Sequence, residues 1–148
     1  MTASALAVFL SVVAGLAGAV QVSFMSQLGD RITVVGATAF ATLFTAVVAA
    51  LPLLVFRQSF AAYRNAFDHP WWMLMGGLLG LLIIFTITYA GNRLGVAATV
   101  GILIAGQLIM GAAIDRFGLF GSTKIPLHWP RVLGIVLLGA GAALSLKK

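Results

Sequence analysis

Five stretches of the chain are free of charge, and short polar segments separate them. Residues 3–28, 32–56, 71–90, 94–114 and 132–146 hold no Asp, Glu, Lys or Arg. A helix rises 1.5 Å per residue, so each of the first four can cross a hydrocarbon core of about 30 Å. The fifth reaches only about 22 Å as a helix and depends on flanking side chains to meet the interfaces. The pattern predicts an all-α integral membrane protein with five transmembrane helices, occupying residues 1–148 as a single membrane domain.

The polar residues inside these runs are sparse and of one kind. The first run contains Gln21, Ser23, Ser26 and Gln27 in its second half, and its apolar length overshoots a cleavable signal segment. The turn Gly29-Asp30-Arg31 closes it. The second run carries Thr38, Thr42 and Thr45, whose hydroxyls can bond back to their own helix, and Pro52 near its end. The third opens on Trp71-Trp72 and ends on Thr86, Thr88, Tyr89 and Asn92. The fourth holds one amide, Gln107, among Gly101, Ala105, Gly106, Gly111 and Ala112, and ends on Asp115-Arg116.

Small residues recur at four-residue spacing, which lets helix backbones approach closely. The candidates for such packing are Gly15, Gly76, Gly80, Gly101, Gly111 and Gly139. Trp71, Trp72 and Trp129 flank spans and read as interface anchors, with Arg131, Lys147 and Lys148 snorkelling around the short fifth run. Between residues 57 and 70, Phe60, Tyr63 and Phe67 recur at helical spacing. Two readings fit there: an amphipathic interfacial helix over 59–68, or an irregular loop with aromatic anchors.

Composition agrees with the pattern and narrows the chemistry. The chain is 61% hydrophobic and 8% charged, far from the roughly 25% charged residues of soluble domains. There is no cysteine, and the two histidines, His69 and His128, lie in connections away from any acidic cluster. Neither a metal site nor a Ser-His-Asp set can be assembled inside a span, so the sequence points away from an enzyme and calls for no cofactor. The net charge of +6 sits mainly beside hydrophobic runs. Headgroup anchoring explains it more simply than nucleic acid does.

Charge also bears on orientation. An odd number of spans puts the two ends of the chain on opposite sides. One side then holds Arg57, Arg64, Arg116, Lys124 and Arg131, and the other Arg31, Arg93, Lys147 and Lys148. Five against four gives almost no positive-inside bias. Either a fixed topology rests on other signals, or the chain inserts both ways and pairs as an antiparallel homodimer, producing by assembly the inverted repeat of many transporters.

The three acids limit the substrate. Asp30 and Asp68 lie in connections, and Asp115 adjoins a span beside Arg116, which is positioned in sequence to neutralise it. With no acid near mid-membrane, the interior offers amides and hydroxyls, suited to a neutral or weakly charged solute or to holding helices together. The candidate pathway residues are Gln21, Gln107, Asp115, Thr86, Tyr89 and Asn92. For Gln107, a place on a pathway and an interhelical hydrogen bond are equally open.

The stretch from Leu94 to Gly121 resembles the YdcZ-type family of small bacterial membrane proteins, grouped with the drug/metabolite transporter superfamily. The resemblance is carried by Gly95, Ala97, Thr99, Gly106, Gln107, Asp115, Phe117 and Gly118. Gln21 with Leu28-Gly29, Trp72 with Gly76-Gly77 and Gly80, and Arg131 with Gly134 support it. The chain departs from many relatives at Met25, where they carry Asn. The resemblance implies a multi-pass protein of the bacterial cytoplasmic (inner) membrane that pairs with itself or a homologous subunit. It implies a small secondary transporter of an unassigned small molecule, working by alternating access. A narrow channel and a structural or regulatory subunit of a heteromeric complex are the competing functions.

Overall fold

The computed structural model describes residues 3–55 and 70–146, and these are helical almost throughout. The helices are α1 (Ala3–Ile32), α2 (Val34–Val55), α3 (Trp71–Leu94), α4 (Val96–Phe117) and α5 (Trp129–Ser145), with a 3₁₀ turn at Leu119–Gly121. The first four are long and apolar enough to cross a membrane, and α5, with 17 residues, is shorter. The interfacial helix expected at 59–68 lies outside the described residues.

The helices run past the ends of the apolar stretches. Gly29-Asp30-Arg31, expected as a turn, belongs to the last turn of α1. The reversal into α2 is confined to Thr33, which has φ 79. Its Oγ1 accepts a hydrogen bond from the Gly36 amide at 3.2 Å, capping α2. A charged residue ends a hydrophobic run, but it does not end the backbone hydrogen-bond ladder.

The α4–α5 connection is also compact. Gly118 takes the left-handed conformation (φ 66, ψ 38), and its N–H donates to the Ile114 carbonyl, closing α4. The Ile125 amide then donates to the Asp115 carbonyl at 2.8 Å, which folds the connection back onto the helix end. Pro130 in the first turn of α5 costs no helical hydrogen bond.

Contacts divide the chain into two compact units, Met1–Ser23 with Gly91–Lys148 and Phe24–Ala90. In both, most of the buried residues are small or hydroxylated. Ser26, Ala37, Thr38, Ile87 and Thr88 are buried in the second unit, and Ala98, Thr99, Ala112 and Ala142 in the first. Bulky apolar side chains such as Leu16, Phe24, Leu43 and Leu82 point outward. This inverts the arrangement of a water-soluble protein and suits hydrocarbon outside and close helix approach inside.

Three threonine hydroxyls of the second unit are satisfied within their own helices. Thr88 Oγ1 donates to the Ile84 carbonyl at 2.7 Å, and Thr38 Oγ1 to the Val34 carbonyl at 2.8 Å. Thr42 Oγ1 donates to the Thr38 carbonyl at 2.8 Å.

Candidate functional site

Helix α4 carries Gln107, Gly111 and Asp115, each about one turn after the last. Gln107 is exposed, while Gly111 and Asp115 are half-buried. Gln21 on α1 is likewise exposed, although Val22 beside it is buried. Neither glutamine amide makes a hydrogen bond among the described residues, and both belong to the same compact unit. Two exposed amides therefore stand on apolar helices, and hydrocarbon around them would leave them unsatisfied.

Asp115 has a partner, and it is not its sequence neighbour. Arg131 Nη2 donates to Asp115 Oδ2 at 2.5 Å, joining the end of α4 to the start of α5. Adjacent residues on a helix point about 100° apart, so Arg116 faces elsewhere and is exposed. The pair is electrostatically unusual. An acid near a helix C-terminus and a base near a helix N-terminus each oppose their own helix dipole. Together the two charges compensate one another.

The remaining candidates lie at the far end of α3. Thr86 is exposed, and its hydroxyl donates to the Leu82 carbonyl at 2.8 Å. Tyr89 stacks on Phe85, with ring centroids 6.4 Å apart. Asn92 is exposed and engaged in a contact of its own. Among the small residues, Gly101 makes a close approach: a Cβ built there would lie 3.3 Å from the Ala142 Cβ, which locks α4 to α5. At Gly15, Gly76, Gly80, Gly111 and Gly139 an added Cβ would meet nothing within 4 Å. Trp71 and Trp129 project outward, as does Trp72 to a lesser degree.

Two features escaped the sequence. Arg131 read as an anchor for a short span, and its place in the first turn of α5, where the dipole disfavours a cation, was the available signal for a carboxylate partner. Thr99 in the first turns of α4 is 2% exposed, and its Oγ1 has no hydrogen-bond partner. No pattern in the sequence separates it from the self-satisfied threonines.

Open grooves flank these elements. One of about 600 Å³ runs between α2 and α3, lined by Val35, Thr38, Ala39, Leu78, Leu82 and Phe85 among others. Its walls are apolar, and none of the candidate pathway residues lines it. Such a groove offers lodging to hydrocarbon rather than passage to a polar solute.

Residues 6–144 match the family described as "Putative inner membrane exporter, YdcZ". This chain belongs to the YdcZ family. A relative, the Inner membrane protein YdcZ of Escherichia coli (strain K12), is 32% identical over 103 residues, which cover 69% of this chain and 68% of that protein. No solved structure matches the chain. The match spans all five helices. The protein is thus a multi-pass inner-membrane protein of a family described as exporters, which are transporters rather than enzymes.

Proposed function

We propose that the protein is a secondary transporter of a small solute, operating by alternating access as an antiparallel pair of five-helix subunits. The observation that carries this reading is the exposure of Gln21 and Gln107 on spanning helices, with no hydrogen bond to either amide. Hydrocarbon is a poor surrounding for a free amide, so a second chain or an aqueous path must cover these positions. The uncovered glycines Gly15, Gly76, Gly80, Gly111 and Gly139 supply faces on which a second copy can pack closely.

Balanced Lys and Arg on the two sides support opposite insertion of the two copies, which generates an inverted repeat. In such a pair the amides and hydroxyls of Gln21, Gln107, Thr86, Tyr89 and Asn92 line the route, and Asp115 contributes its pair with Arg131 to one mouth. A lining of this kind handles a neutral or weakly charged solute.

The test begins with a thermal-shift screen of the purified protein against small metabolites, because a ligand stabilises the state it binds. Hits are then used as tracers for counterflow in proteoliposomes. Counterflow is expected in the parent and loss in Gln107→Ala or Gln21→Ala. Undiminished counterflow in both variants would remove the two amides from the route.

A further inference from the structure

Arg116 at the end of α4, Lys124 in the α4–α5 connection and Arg131 at the start of α5 fall within a short segment. Arg131 is committed to Asp115. Arg116 and Lys124 are exposed and make no ion pair among the described residues. Lys124 is nevertheless well placed. Its stem lies over Gly118, where a Cβ would come 2.7 Å from Lys124 Cγ, which places the side chain at the same end of α4 as Arg116.

Beside Arg116 opens a cleft of about 330 Å³ between α4 and α5. Ile109, Ala112, Ala113 and Phe117 form one wall and Val132 and Ile135 the other, with Arg116 as the charged group of the lining. From Ile109 to Arg116 the wall runs about 10 Å along the helix. Ala112 and Ala113 keep it hollow, since a larger side chain at either position would fill it. The cavity is thus apolar along its length and cationic at one end.

We infer that this cleft is a binding site for an anionic phospholipid, with part of an acyl chain between α4 and α5 and the phosphate on Arg116 and Lys124. Charge complementarity selects the headgroup, since the local carboxylate is already occupied by Arg131 and two cations remain. The apolar walls select a lipid over a free anion, which would gain nothing from them. The cations sit at the end of a spanning helix, where a headgroup lies when its chain follows the helix inward.

The test uses the full chain in neutral detergent micelles, with native mass spectrometry reading how many lipids each chain retains. Added phosphatidylglycerol is expected to be retained more strongly than phosphatidylcholine. The double variant Arg116→Gln, Lys124→Gln should weaken phosphatidylglycerol retention by about 25-fold, roughly fivefold for each lost cation. Arg93→Gln, in the last turn of α3, should leave it unchanged. Ala113→Leu fills the cleft from one wall and Val136→Phe from the other. Either should reduce retention of both lipids without altering charge, and the variant that keeps its thermal unfolding profile is the one to read. Equal losses in Arg93→Gln and the double variant would overturn the site in favour of diffuse surface charge. Retention unaffected by a folded cleft-filling variant would overturn it too, as would an equal thermal shift from inorganic phosphate.

Discussion

Asp115 and Arg131 pair across the α4–α5 connection although each stands at the helix end that disfavours its charge. The pair is half-exposed, so its net worth is modest, on the order of 0.5–1 kcal/mol. Asp115→Asn and Arg131→Gln should each lower thermal stability in detergent by about that amount. Exchanging the two, Asp115→Arg with Arg131→Asp, restores attraction and also turns both charges toward favourable dipole ends. The exchanged protein should unfold at or above the parent temperature. If it proves weaker than either single variant, the dipole argument fails.

Among the glycines of the second unit, Gly29 makes the closest approach, and Thr88 is what it meets. A Cβ at Gly29 would lie 2.7 Å from Thr88 Cγ2, and Thr88 is fully buried. Gly29→Ala should therefore cost about 1–3 kcal/mol by overpacking. Thr88→Ser removes the methyl group while keeping the hydroxyl that bonds to Ile84. Combining the two should recover most of the loss, so the double-mutant cycle should give a coupling of about 1 kcal/mol or more. Additive losses would show that the two residues do not meet.

How much of this was legible in the chain follows from what hydropathy measures. It reports where side chains leave hydrocarbon, and the described residues hold the four long apolar helices and the shorter one it leads to expect. It does not report where a helix stops, which is why Asp30 and Arg31 suggested a turn while the backbone continued to Ile32. Tertiary pairing was less accessible still. Arg116 adjoins Asp115 in sequence, yet Arg131, sixteen residues on, is the partner because the connection folds back through the Ile125 amide. Small-residue spacing marked six glycines as packing positions, and it cannot say which neighbour each one meets. Gly101 meets Ala142 within the chain, and the others are open there.

Thr33 holds the α1–α2 reversal at φ 79, a region costly for a β-branched residue, while its hydroxyl caps α2. Thr33→Asn keeps an oxygen for the Gly36 amide and tolerates positive φ better, so it should stabilise the protein by about 0.5–1 kcal/mol. Thr33→Val retains the strain and loses the cap, and should destabilise by about 1 kcal/mol. Thermal unfolding of the two variants side by side checks the sign of both effects.

Gln107→Leu separates lipid exposure from coverage. If hydrocarbon surrounded the amide, leucine at this position would stabilise the protein. In the proposed assembly the amide is covered by a second copy or by water, so Gln107→Leu should weaken self-association by about 0.5–2 kcal/mol. Association measured in micelles by fluorescence transfer between labelled copies reads this directly. A stronger dimer would argue that Gln107 faces lipid.

The proposal that two copies insert in opposite directions is most directly tested by topology. The chain has no cysteine, so Ser122→Cys, in the exposed α4–α5 connection, provides a single reporter. Intact cells and inverted membrane vesicles are treated in parallel with a membrane-impermeant maleimide, and the labelled fraction is measured in each. Labelling of about half the molecules from each face is the result expected for an antiparallel pair. Complete labelling from one face and none from the other would contradict it.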